Sequence, residues 1–150
     1  MRFNFCSLLF FLLPLQAQAC WDDAAARYGV APELLRAVAR VESSLNADAL
    51  NLGHVSRTHS FDIGLMQINS RWLPTLSRYG IDAQALRDPC TNIQVGAWLL
   101  ADVFRRYGVS WEAVGAYNAA CTTLKGKDCQ QARMRYAWRV YRALKKEGLS

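Results

Sequence analysis

The sequence predicts an α+β domain that is predominantly α-helical, with at most a small hairpin, and three observations carry that prediction. Apolar residues return at helical spacing, most clearly from Ile93 through Ala97, Leu100 and Phe104 to Tyr107. Periodicity disappears between Leu45 and Phe61, among Asn, Asp, Gly, His and Ser residues, so a long loop crosses there and leaves room for the hairpin in the region from Leu45 to Asp62. A length of 150 residues, 52% hydrophobic and 20% charged, is one globular domain's worth, and no repeat, low-complexity tract or linker divides it.

The chain opens with Arg2, an apolar run through Leu8-Leu9-Phe10-Phe11-Leu12-Leu13, and Ala17-Gln18-Ala19. Residues 1–19 therefore read as a secretory leader with a small-x-small cleavage site, leaving 20–150 as the mature domain in the periplasm. The apolar run is too short for a permanent span, so membrane contact is confined to export. An uncleaved anchor is the competing reading, and so is a lipoprotein acylated on Cys20. Ala17 and Gln18 stand where a lipobox wants leucine and a small residue.

Asp22 to Tyr28 forms a short helix ended by Gly29. Pro32 suits the first turn of the next helix, which runs to about Ser43. After Met66-Gln67 the chain turns through Ser70 and Pro74, with short helical pieces before Gly80 and around Asp82 to Arg87. A long helix follows Pro89 and stops at Gly108. Ser110 caps a helix from Trp111 towards Asn118, and a last one runs from about Gln130 to Lys146 on Tyr136, Ala137, Val140, Tyr141 and Leu144.

Glu42 is the candidate acid. It lies at i+4 and i+7 from Val38 and Leu35, on the apolar face that Leu34 and Val41 also mark. Desolvation and the negative end of the helix dipole would both raise its pKa, and a carboxyl that keeps its proton near neutrality is a general acid. A surface glutamate at a fraying helix end is the plain alternative.

Removing the leader deletes Cys6 and leaves Cys20, Cys90, Cys121 and Cys129, an even number suited to disulfides in an oxidising compartment. Three pairings are open. No C-x-x-C pair supports a metal site, and His54 and His59 fall in the polar loop without a convergent carboxylate motif, so both read as solvated. No metal or other cofactor is implied, since the chain has no Gly-rich phosphate loop, H-E-x-x-H helix or G-x-S-x-G elbow. The net charge of +6, or +5 without Arg2, sits largely on Arg133, Arg135, Arg139, Arg142, Lys145 and Lys146. Such a balance suits an anionic polymer. Export excludes nucleic acid and leaves peptidoglycan, whose peptide stems carry carboxylates.

Glu42-Ser43-Ser44, Gly64-Leu65-Met66-Gln67-Ile68-Asn69 and Ala116-Tyr117-Asn118-Ala119 resemble, in order and spacing, the three signatures of the soluble lytic transglycosylases of lysozyme-like fold. Cys20-Trp21 and Asp88-Pro89-Cys90 resemble in particular the small single-domain group associated with type III secretion, conjugation and type IV pilus systems, whose apparatus would be the partner. The resemblance covers nearly the whole mature chain. It implies a Cys20 to Cys90 bridge, which leaves Cys121 and Cys129 to close a short loop. It also implies a groove for glycan strands with Glu42 as acid.

In that groove Gln67 and Asn69 would offer amides to sugars, with Met66 packing beneath them. Tyr117 would orient the acid's carboxyl and Asn118 would satisfy neighbouring backbone. Cleavage would fall between N-acetylmuramic acid and N-acetylglucosamine and give a 1,6-anhydro end without consuming water, the substrate-assisted exception among glycosidases. Asp62 falls where animal-type lysozymes carry their second carboxylate, so a hydrolase using Glu42 and Asp62 is the alternative reaction. In the favoured reading Asp62 is a helper or caps the turn into Ile63 to Gln67. A silent glycan-binding assembly protein on the same fold is the third possibility, and the presence of Glu42 argues against it.

Overall fold

The computed structural model describes residues 13–148, with side chains from Ala19 onward. Arg2, Cys6 and most of the apolar run of the expected leader lie outside the described residues. The first helix, α1 (Leu13–Tyr28), runs straight through the expected junction after Ala19 instead of starting at Asp22. Physically nothing interrupts it: Pro14 falls in the first turn, where a missing N–H costs no bond, and the residues from Gln16 to Ala26 include no glycine or proline. Gly29, at φ 65°, ends it. Among the described residues no helix is long and apolar enough to cross a membrane.

Helix α2 (Pro32–Ser43) begins on its proline and buries Leu35, Ala37, Val38 and Ala39. The region expected to hold at most a hairpin builds three two-residue strands, β1 (Leu50–Asn51), β2 (Asp62–Ile63) and β3 (Ile68–Asn69), in an antiparallel sheet ordered β1-β2-β3. A single turn of helix, α3 (Val55–Thr58), bridges β1 to β2. The register sets Asn51, Asp62 and Asn69 side by side across the sheet, with Leu50, Ile63 and Ile68 in the adjacent row. Ile63 and Ile68 are buried, so their row faces the core and the polar row faces outward.

After β3 come short 3-10 turns and the one-turn α4 (Leu73–Leu76), leading to α5 (Pro89–Tyr107). Asp88 caps α5 by accepting from the Thr91 amide at 2.8 Å. Its buried face, Ile93, Val95, Ala97, Leu100 and Val103, makes it the spine of the core. Helix α6 (Trp111–Asn118) is capped by Ser110, and α7 (Gly126–Lys146) starts about one turn earlier than expected, just after the Cys121 loop. Cys20 is bonded to Cys90, fastening α1 to the start of α5, and Cys121 to Cys129. Helices α6 and α7 approach closely: a Cβ on Gly115 would strike the Arg133 carbonyl, so only glycine lets these two backbones meet.

Candidate active site

Glu42 occupies the last turn of α2, and Ser43 anchors that turn by donating to the Leu65 carbonyl at 2.8 Å. The helix end is thereby tied to the loop from Gly64 to Gln67 that forms the opposite wall. The two walls enclose an open cleft of about 570 Å³ whose lining includes Glu42, Asp62, Gln67, Tyr117 and Asn118.

The Glu42 carboxyl is pushed up from 4.5 to about 7, above all because burial disfavours its charged form. The Asp62 carboxylate across the cleft adds to the rise, while Tyr136, Arg139 and a hydrogen bond from Asn118 pull the other way. The burial follows from the position of Glu42 on the apolar face of α2. The second carboxylate contributes where the sequence suggested the helix dipole.

The hydroxyl that reaches the acid belongs to Tyr136, not Tyr117. Tyr136 Oη donates to Glu42 Oε1 at 2.5 Å from the buried face of α7, 94 residues along the chain. Tyr117 instead donates to the Met66 carbonyl at 2.9 Å and braces the opposite wall. Burial raises the pKa of both phenols, and the Glu42 carboxyl adds to it, so both stay neutral donors. Asn118, expected to serve backbone, places its side chain on the Glu42 carboxyl. At helical spacing Tyr136 is one more core residue; only its hydroxyl, invisible to periodicity, marks it as part of the site.

Asp62 does not cap the following turn. Asn69 Nδ2 donates to its Oδ1 at 2.7 Å, Asn51 Nδ2 to its Oδ2 at 3.3 Å, and His54 Nε2 lies 3.6 Å from Oδ2. The two asparagines are its cross-strand neighbours, so the sheet register itself builds the cage. His54 is half-buried in the cleft wall beside Asp62, unlike His59, which is exposed, so only His59 is solvated as the sequence suggests. Among the described residues no group of His, Cys, Asp and Glu could hold a metal.

The other polar groups of the wall are largely committed to the protein. Asn69 donates to Ser60 Oγ as well as Asp62 and accepts from the Arg71 amide, which makes it a positioner of Asp62 more than a sugar contact. Gln67 Nε2 donates to the Gly64 carbonyl at 2.9 Å, so toward a ligand the side chain is left as an acceptor. Met66 is fully buried and packs against Gly96, where a Cβ would come within 2.6 Å of its side chain; it supports the wall from behind and does not line the cleft.

Sequence reasoning also missed Asn92, a wholly buried side chain on α5. It accepts from the Met66 amide at 2.7 Å and donates to the Ile63 and Leu86 carbonyls at 2.9 and 2.8 Å. Gly64, at φ 74°, is the residue against which it packs: a Cβ there would collide with the Asn92 amide. An asparagine inside a long helix carries no sequence signal beyond its own polarity.

A carboxyl at the end of one helix and a caged carboxylate on a small three-stranded sheet line one open cleft, in a mostly helical domain of lysozyme-like fold. The family description "Transglycosylase SLT domain" matches residues 19–137. The chain is 44% identical over 127 residues to "Invasion protein IagB" of Salmonella typhimurium, covering 84% of this chain and 77% of that one. It is 39% identical to "Protein IpgF" of Shigella flexneri, over 90% of this chain and 85% of that one. An inactive mutant of the lytic transglycosylase Slt from Pseudomonas aeruginosa superimposes with a TM-score of 0.68 at 23% identity. That likeness covers 90% of this chain and 24% of the larger one, so this chain spans about a quarter of its length. The chain belongs to the SLT transglycosylase family and is a lytic transglycosylase of peptidoglycan.

Proposed function

We propose that Glu42 is the general acid of this chain and that the reaction ends in 1,6-anhydromuropeptides. The observation that carries the reading is the Glu42 carboxyl, held protonated up to about pH 7 in the cleft wall. Glu42 gives its proton to the oxygen between N-acetylmuramic acid and N-acetylglucosamine as the C1–O bond breaks, and the substrate's N-acetyl oxygen stabilises the electron-poor C1. The resulting carboxylate then takes the proton of the C6 hydroxyl as that oxygen bonds to C1. The acid is regenerated and no water is used.

Asp62 supports this chemistry as a fixed negative charge that helps Glu42 keep its proton, since both of its oxygens are already bound by neighbours. Mass spectrometry of muropeptides released from purified wall tests the reaction. Products one water lighter than hydrolysis products are expected, with only partial loss of activity in Asp62→Asn and an alkaline limb moved to lower pH, because Glu42 would release its proton more easily. Reducing-end products with an inert Asp62→Asn would assign the chain to the two-carboxylate hydrolases.

Tyr136 favours the ionised form of Glu42, so Tyr136→Phe is expected to shift the alkaline limb of kcat/KM above its wild-type position near pH 7 and to lower kcat as the carboxyl loses its orientation. A pH–rate profile in which the limb stays in place would remove Tyr136 from the acid's environment.

The leader reading gives the setting. Cleavage after Ala19 would leave Cys20 as the new first residue, already bonded to Cys90, in the periplasm where the wall lies. The role we propose in that setting is local opening of the wall for a secretion, conjugation or pilus apparatus; it rests on the resemblance carried by Cys20-Trp21 and Asp88-Pro89-Cys90, and the relative named "Invasion protein IagB" accords with the secretion branch of it.

A further inference from the structure

Beside the cleft, beyond Asn118 and Tyr136, lies a second open depression on α7. It is lined by Arg135, Trp138, Arg139 and Arg142 together with Asn118 and Tyr136, and no acidic residue takes part. The three arginines are exposed, and none of them is ion-paired among the described residues. Arg133, which the sequence groups with them, points elsewhere: it is buried, bonded to Glu112 and stacked on Tyr107. The cluster is therefore not a generally basic helix. It is one face of α7, with i, i+4 and i+7 arginines around Trp138, opening where the catalytic cleft ends.

We propose that this depression binds the carboxylates of the peptide stem carried by the N-acetylmuramic acid next to the scissile bond. The inference rests on Glu42 being the acid of a peptidoglycan-cleaving cleft. Tyr136 ties the two places together, since its hydroxyl holds Glu42 and it also lines the arginine depression, with the Arg139 guanidinium 5.3 Å from its ring centroid. The depression therefore adjoins the place where a sugar at Glu42 would sit, with Asn118 common to both linings, so a stem attached to that sugar has these arginines beside it. Guanidinium forks match carboxylates in two-bond geometry, and they remain charged at every working pH. Trp138, 58% exposed and packed edge-on against Tyr141, offers an apolar face for the methyl and methylene groups of the stem.

The test compares two substrates: glycan strands with intact stems, and the same strands stripped of stems by an amidase. Wild-type protein is expected to cleave the intact strands with the higher kcat/KM. Arg135→Gln and Arg142→Gln are each expected to lower that preference by about fivefold, the upper end for an exposed ion pair, and the double variant by roughly tenfold or more. Arg135→Lys, which keeps the charge, is expected to recover part of it. Equal activity of wild type on both substrates, or an unchanged ratio in the double variant, would overturn the stem site while leaving the transglycosylase reading intact. Wild type inert on both substrates would instead overturn the reading on which it rests. If the double variant lost only sedimentation with anionic phosphatidylglycerol vesicles, the patch would be a membrane-surface contact and the stem proposal would be wrong.

Discussion

Glu42→Gln is expected to reduce wall cleavage by at least about 10²- to 10⁴-fold, the usual contribution of a positioned general acid, while the protein stays folded. The amide keeps the shape and can still accept from Tyr136 Oη, but it has no acidic proton to give. The same variant is expected to be more stable than wild type at pH 8 and to lose that advantage at pH 4. The folded-state pKa of about 7 lies above the ordinary value of 4.5. Below 4.5 both folded and unfolded chains hold the proton. Between 4.5 and 7 the unfolded chain releases it while the folded chain retains it, so stability falls as pH rises through this window. Above pH 7 the whole penalty is present, at most about 3 kcal/mol. Thermal unfolding at the two pH values, beside zymography on purified wall, reads both effects. An active, folded Glu42→Gln would transfer the acid's role to another residue.

Asn92→Ala is expected to cost at least about 3 kcal/mol, because it strands the Met66 amide and the Ile63 and Leu86 carbonyls in the buried interior at roughly 1–3 kcal/mol each. Against a total domain stability of about 5–15 kcal/mol that is a severe loss. It falls selectively on the loop facing Glu42. Activity is therefore expected to fail at a lower temperature than in wild type, with the melting temperature reduced by about 10–20 °C. A melting temperature within about 3 °C of wild type would mean that this side chain does not anchor that loop.

These two residues also mark the boundary of what was legible in the sequence. Glu42 stood out because its position on the apolar face of α2 can be counted from Leu35 and Val38, and α5 and α6 were bounded by Pro89, Gly108 and Ser110, which act through local backbone chemistry. Asn92 reaches the Met66 amide 26 residues away and Tyr136 reaches Glu42 94 residues away, and no local pattern encodes such a distance. Two-residue strands are too short to show an alternation, so the caging of Asp62 by Asn51 and Asn69 became visible only with the register. The motif containing Tyr117 was found, but the role expected for it belongs to a phenol on another helix.

The disulfide pattern bears on assembly. Among the described residues Cys20 joins Cys90 and Cys121 joins Cys129, so of these four cysteines the first pairs with the second and the third with the fourth. For a polypeptide threaded through a membrane from its N-terminus, each native partner emerges before the next cysteine does. An oxidant that joins cysteines in their order of arrival then produces the native set directly, and thiol–disulfide exchange has no wrong bridge to undo.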